Sequence, residues 1–204
     1  MGKQAAMVFG VQWLGYTFAA LFKTEKFYDM FGTGTFILVA ITSHMHSIKT
    51  PRPTLRSDVV LALVCTWGIR LGGHLVVRIH KDGSDKRFDG VRTNPGIFYV
   101  YWTLQGVWVF ITTLPISVLM YRPENWDAAK LMANDKLGIL VWMIGFVVET
   151  IADWQKARFR SVDANKGEFI SSGLWTHCRH PNCESAGGSS LLMSLISAQW
   201  CRSG

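Results

Sequence analysis

Two carboxylates stand one helical turn apart near the end of a long apolar run, Glu149 and Asp153 in VVETIADW. Residues at i and i+4 lie on one face of a helix. Arg160 follows Asp153 by seven residues, two turns on and on nearly the same face. Acids at membrane depth are costly, so they face a cavity or a partner. Such a face suits either a ligand site or an ion pair near a helix end, and the residues alone leave both open. A second polar segment, residues 78–96 (RIHKDGSDKRFDGVRTNPG), holds five Lys or Arg and three acids, with Gly83, Gly90 and Gly96. It reads either as a solvated loop with surface ion pairs or as a folded cap near an anionic ligand. In the second case Lys86, Arg87 and Arg92 would be the phosphate or carboxylate contacts, since arginine offers a planar donor fork.

His177, Cys178, His180 and Cys183 do not form a familiar zinc spacing. Four ligands inside seven residues would wrap a tetrahedral ion poorly, and no metal is expected. Asn165–Glu168 reads as a turn, and Ser171–Leu174 leads towards Arg179-His180-Pro181-Asn182. His180 precedes proline and is biased to extended backbone. Gly32-Thr33-Gly34 does not continue into G-x-G-x-x-G. Phosphate-loop, H-E-x-x-H and G-x-S-x-G motifs are absent. Any nucleotide would have to be held by side chains at a membrane face, without a Rossmann domain.

The elements that position these groups are apolar runs. Of 204 residues, 49% are hydrophobic and 17% charged, with nine Trp and twelve Phe. Soluble domains carry roughly 25% charged residues. Intrinsic disorder and a disulfide scaffold are both excluded by this composition. Residues 5–22, 30–48 and 97–121 carry no formal charge; 59–77 carries only Arg70 and 137–152 only Glu149. A span needs about 20 mostly apolar residues. The expected fold is therefore all-α, a multi-pass transmembrane helix bundle of about five spans, with a weaker sixth stretch at 185–200. The first run exceeds a signal-peptide core and lacks a cleavage site before Lys23, so it reads as a retained span. Phe98, Tyr99, Tyr101 and Trp102 at one end of the fourth run, and Tyr121 at the other, read as an interfacial aromatic belt. Turns are expected at Pro51–Pro53 and a polar loop at Arg122–Asn125. No linker divides the chain, which reads as a single membrane domain, 1–204.

The odd-numbered connections hold twelve Lys and Arg against seven on the other side. They should face the cytosol. The net charge of +7 fits these loops and anionic headgroups, and no nucleic-acid partner is expected.

The segments KTEKFYDMFGTGTFILVAI (23–41), TWGIRLGGHLVVRIHKDGSDKRFDGVRTNP (66–95), ADWQKARFR (152–160), NKGEFISSGLW (165–175) and RHPN (179–182) together resemble the DUF1295 membrane proteins, of the steroid 5-alpha-reductase C-terminal domain superfamily. The likeness runs from about residue 23 to 182. It implies a multi-pass oxidoreductase acting on CH–CH groups. Such an enzyme uses NADPH to reduce a carbon–carbon double bond conjugated to a ketone in a lipid or sterol-like substrate. By the same resemblance Asp153, Arg160, Arg179, His180, Asn182 and Glu184 would line the cofactor site. The arginines would serve phosphates, and Asp153 and Asn182 ribose or amide groups. No substrate-side acid carries over. The membrane implied is the endoplasmic reticulum or a bacterial inner membrane, with cofactor-side loops cytosolic. Isoprenylcysteine and phospholipid methyltransferases resemble the chain at RHPN and use S-adenosylmethionine, which makes methyl transfer the alternative activity. A truncated, non-catalytic membrane protein is the third reading. The family pattern R-H-P-N-Y-F-G-E gives way here to RHPNCESAGG, so Glu184 aligns only across a two-residue gap and residues 183–204 form a divergent tail. Without the enclosing segments that follow in relatives, the expectation is weak cofactor retention and low or no activity for this chain alone.

Overall fold

The computed structural model describes residues 1–48, 55–121, 131–162, 165 and 168–176. The expected turn at Pro51–Pro53, the loop at Arg122–Asn125, the stretch 185–200 and the divergent tail lie outside the described residues.

Five α-helices, and no strand among the described residues, make the fold all-α: α1 (Gly2–Leu21), α2 (Tyr28–Ser47), α3 (Leu55–Asp82), α4 (Pro95–Tyr121) and α5 (Ala133–Arg160). Each falls on one of the five apolar runs. Short 3-10 turns occur at Lys86–Phe88 and Gly173–Thr176. Helices α3, α4 and α5 are long and apolar enough to cross a membrane. At 27 or 28 residues each is about 40 Å long, against a hydrocarbon core of about 30 Å. The protein is an integral membrane protein on this evidence of length and composition. Helices α1 and α2, at 20 residues each, are diluted by polar residues that the fold turns inward.

The chain divides into two compact units, Met1–Lys130 and Leu131–Gly204. In the first, α2 packs against α1, α3 and α4, and α1 packs against α4. Its core is three apolar clusters. Ala19, Phe88, Phe98 and Trp102 join Tyr28 and Phe31 at one end. Val8, Phe36, Val39 and Val109 follow, then Ala40, Val60, Val64 and Met120. Phe98 and Trp102 are thus fully buried. The interfacial-belt reading fails for these two, because Tyr28 and Phe88 offer edge-on ring contacts that enclose them. Tyr99 and Tyr121 keep the exposure a belt requires.

Polar side chains line the helix junction while large apolar ones face outward. Gln4 Nε2 donates to Thr113 Oγ1 (3.2 Å) and Gln12 Nε2 to Thr35 Oγ1 (2.8 Å). Gln105 Nε2 donates to the Tyr28 carbonyl (2.9 Å), and Ser43 and Ser117 share a bond of 3.3 Å. On the same helices Trp13, Leu14, Phe18, Leu104, Trp108 and Ile111 are exposed. This is the arrangement expected where the surrounding solvent is hydrocarbon: every buried amide must find a partner inside the protein.

Candidate functional site

In the second unit, α5 carries the acids singled out by their spacing. Glu149 is 2% exposed and Asp153 6%, while Arg160 is exposed at the helix end. The helix brings Asp153 and Arg160 to nearly one face, about 10 Å apart along the axis, without pairing their environments. Arg158 and Arg160 fall in the last turn, where cations offset the negative end of the helix dipole. The Arg158 guanidinium also lies 5.5 Å from the ring centre of Trp154. Arg179, His180, Asn182 and Glu184 lie outside the described residues, as do His177, Cys178 and Cys183.

A short turn docks on this helix beside Asp153. Trp175 Nε1 donates to the Ala152 carbonyl (3.2 Å), and the Leu174 amide donates to Gln155 Oε1 (3.1 Å). Lys156 Nζ stands 4.8 Å from the Trp175 ring centre. Gly173 makes the turn possible. Its φ is +65°, and a Cβ there would lie 2.6 Å from Gln155 Nε2, so both conformation and space select glycine. Upstream, Asn165 Nδ2 donates to the Phe159 carbonyl (2.9 Å), and the Glu168 amide to the Asn165 carbonyl (3.1 Å); Lys166 and Gly167 of the expected turn lie outside the described residues. The segments ADWQKARFR and SSGLW, separate in sequence, thus form one element. Spacing singled out Asp153 but gave no sign of Gln155 and Trp175 as the groups that hold the turn.

The first unit gathers the other polar segment into an ionic clasp. Glu25, 3% exposed, accepts the Asp85 amide (3.0 Å) and pairs with Arg92 (3.3 Å). Asp29, at the start of α2, pairs with Arg78 (2.9 Å) and Arg87 (3.3 Å). Arg87 is also bidentate to Asp85, with Nε at 2.9 Å from Oδ2, and Arg92 Nη2 lies 2.6 Å from Asp89. Burial alone would raise the Asp85 carboxyl. Hydrogen bonds from Arg87 and the charges of Arg87 and Arg78 outweigh it and hold the group below the usual carboxylate range. The bond to Asp85 raises Arg87 further above its ordinary value, against the lowering effect of burial. Phe88 fills the space beneath, 4.8 Å from the Tyr28 ring centre.

Arg87 and Arg92 contact carboxylates of their own chain, as in the first of the two readings of this segment, the one with ion pairs. The side chain of Lys86 lies outside the described residues. Among the described side chains of the clasp, four acids (Glu25, Asp29, Asp85 and Asp89) meet three arginines. The sequence signal was the acidic pair Glu25 and Asp29, four residues apart and opposite in sign to the loop.

A family model described as "Protein of unknown function (DUF1295)" matches residues 15–185. Neither the curated proteins nor the solved structures contain a match.

Proposed function

The chain belongs to the DUF1295 family, and from that premise we propose that it is an NADPH-dependent reductase of a conjugated carbon–carbon double bond in a lipid or sterol-like enone. The observation that carries the reading is the run at the end of α5: a recessed carboxylate, Asp153, followed on the same face by an exposed cation, Arg160. The likeness of the D-W-Q and R-H-P-N segments to the steroid 5-alpha-reductase C-terminal domain superfamily supports it. The donor set fits a phosphorylated dinucleotide. A buried carboxylate accepts hydrogen bonds from ribose hydroxyls, and a guanidinium grips phosphate oxygens. Because α5 ends here, its dipole opposes an anion, so Arg158 and Arg160 side chains must supply the attraction. When bound, the cofactor would supply the hydride to the enone β-carbon, and a proton from solvent would complete the reduction at the α-carbon. Asp153 fixes the orientation of the ribose end, and the turn held by Trp175 and Gln155 fixes the helix segment that carries Asp153. The site belongs on the cytosolic face of the endoplasmic reticulum or a bacterial inner membrane, where the connections are most basic.

Thermal unfolding of the purified chain with NADPH, NADH, S-adenosylmethionine or S-adenosylhomocysteine tests the proposal. A ligand bound only to the folded state stabilises it by about 2.7 kcal/mol at 100 times its dissociation constant. The expected result is a shift with NADPH that Arg160→Ala and Asp153→Asn reduce. A shift with S-adenosylhomocysteine alone would assign methyl transfer instead. No shift with any ligand, in a folded chain, would leave a non-catalytic membrane protein.

A further inference from the structure

The short connection between α1 and α2 carries lysines on both sides of one acid: Lys23, Glu25 and Lys26. The acid is turned inward. Glu25 is 3% exposed and is engaged by Arg92 and the Asp85 amide. Both lysines are exposed, and neither is paired with an acid among the described residues. The backbone fixes this arrangement. The amides of Lys23 and Thr24 donate to the Ala20 and Ala19 carbonyls (3.3 and 2.9 Å), the pattern that closes a helix around a left-handed residue. That residue is Lys23, at φ +49°, where glycine is the ordinary choice.

Large apolar side chains next to the lysines are exposed with them. Leu21 and Phe22 are 73% and 72% exposed. With the half-exposed Phe18 they stand at i, i+3 and i+4 on one face of α1. Phe27 and Met30, at the start of α2, are exposed as well. Tyr16 Oη donates to the Pro95 carbonyl (3.2 Å), and its ring centre lies 5.3 Å from that of the exposed Tyr99. Tyr16 therefore marks the level at which α4 begins. Helix α1 runs on through residues 17–21, about 8 Å further at 1.5 Å per residue. The tip thus stands just past the aromatic level, where headgroups replace hydrocarbon.

A free phosphate would meet the lysines but leave Leu21 and Phe22 in water. A zwitterionic lipid would cover the apolar face but bring its own cation towards the lysines. An anionic lipid satisfies both features. Its acyl chains cover Phe18, Leu21 and Phe22, and its phosphate meets the ammonium groups of Lys23 and Lys26, whose stems lie along the interface.

We propose that the tip of the α1–α2 hairpin is a docking site for an anionic phospholipid of the surrounding bilayer. The site is independent of the reductase reading. It is tested by thermal unfolding of the purified full chain in detergent micelles titrated with phosphatidylglycerol or phosphatidylcholine. Phosphatidylglycerol should raise the midpoint at a lower lipid fraction than phosphatidylcholine, and added salt should remove the difference. Lys23→Gln combined with Lys26→Gln should demand about 30-fold more phosphatidylglycerol for the same shift, roughly 5-fold per lysine. Lys3→Gln, at the other end of α1, should leave the titration unchanged. Because both lysines are exposed, the double variant should match the unsubstituted chain when no lipid is added. An unchanged phosphatidylglycerol titration in the double variant overturns the proposal. So does a phosphatidylcholine shift of equal size, which assigns the apolar face alone, or a shift with inorganic phosphate alone, which assigns a free anion.

Discussion

Removing the two ends of the Glu25–Arg92 pair should have unequal consequences. Glu25 is 3% exposed, whereas the Arg92 side chain keeps about a quarter of its surface in solvent, at 26%, and has a second partner in Asp89. Arg92→Ala strands a buried carboxylate that retains one donor, the Asp85 amide. Breaking a buried pair from one side costs about 3–5 kcal/mol; with that amide still in place, about 2–4 kcal/mol is expected. Glu25→Gln removes the charge but keeps an acceptor for Asp85, and Arg92 falls back on Asp89 and water, so about 1–2 kcal/mol is expected. The double variant should cost less than the sum of the two, with a coupling of about 1–3 kcal/mol. Thermal unfolding in detergent reads this, because 1 kcal/mol moves the midpoint of a chain this size by roughly 2–4 °C. The reasoning is refuted if Glu25→Gln is the more damaging change, or if the two effects simply add.

The same clasp sets an acid limit. Asp85 titrates below its unfolded value of roughly 3.9, so its contribution is full above that pH and is lost as pH falls through the lower folded value. Unfolding midpoints measured from pH 6 down to 3 should drop at the acid end, and Asp85→Asn should flatten that drop. Gly173→Ala should loosen the 171–176 turn by about 1–3 kcal/mol through its positive φ and the contact with Gln155. Faster proteolysis between residues 160 and 176 would report it, while an unchanged cleavage pattern would count against the docking described. Trp175→Phe keeps the ring over which Lys156 sits but loses the bond to Ala152. It should cost about 1 kcal/mol, less than Trp175→Ala in the same melting assay.

The five helices were legible as long apolar runs with few charges, and three of them are long and apolar enough to cross a membrane. Helix ends were less legible: the third run was read as 59–77, but its helix runs Leu55–Asp82, because charged and polar residues continue it beyond the apolar stretch. Interior against exterior was not legible, since apolar residues serve both. Phe98 and Trp102 have the composition of a belt and the burial of a core, and only the approach of Tyr28 and Phe88 decides between them. The clasp was half legible. The loop's cations were plain, but their partners Glu25 and Asp29 sit some 50 to 70 residues upstream, the separations of Arg78–Asp29 and Arg92–Glu25 being 49 and 67. Spacing along one helix found Glu149, Asp153 and Arg160 because a helix converts sequence interval directly into a face. It could not foresee Gln155 and Trp175, whose meeting depends on how the chain returns.

The polar junction also bears on how the protein is made. Gln12 finds its partner Thr35 only 23 residues later, but Gln4 waits 109 residues for Thr113, and the Tyr28 carbonyl waits 77 for Gln105. As the chain leaves the ribosome, α1 and α2 emerge with their amides facing no finished neighbour. They can be released together as a hairpin, but their final register is set only when α4 has been translated. Assembly of the first unit is therefore a late, concerted event. A chain stopped before residue 113 should be retained by the insertion apparatus or handed to quality control as an incomplete bundle.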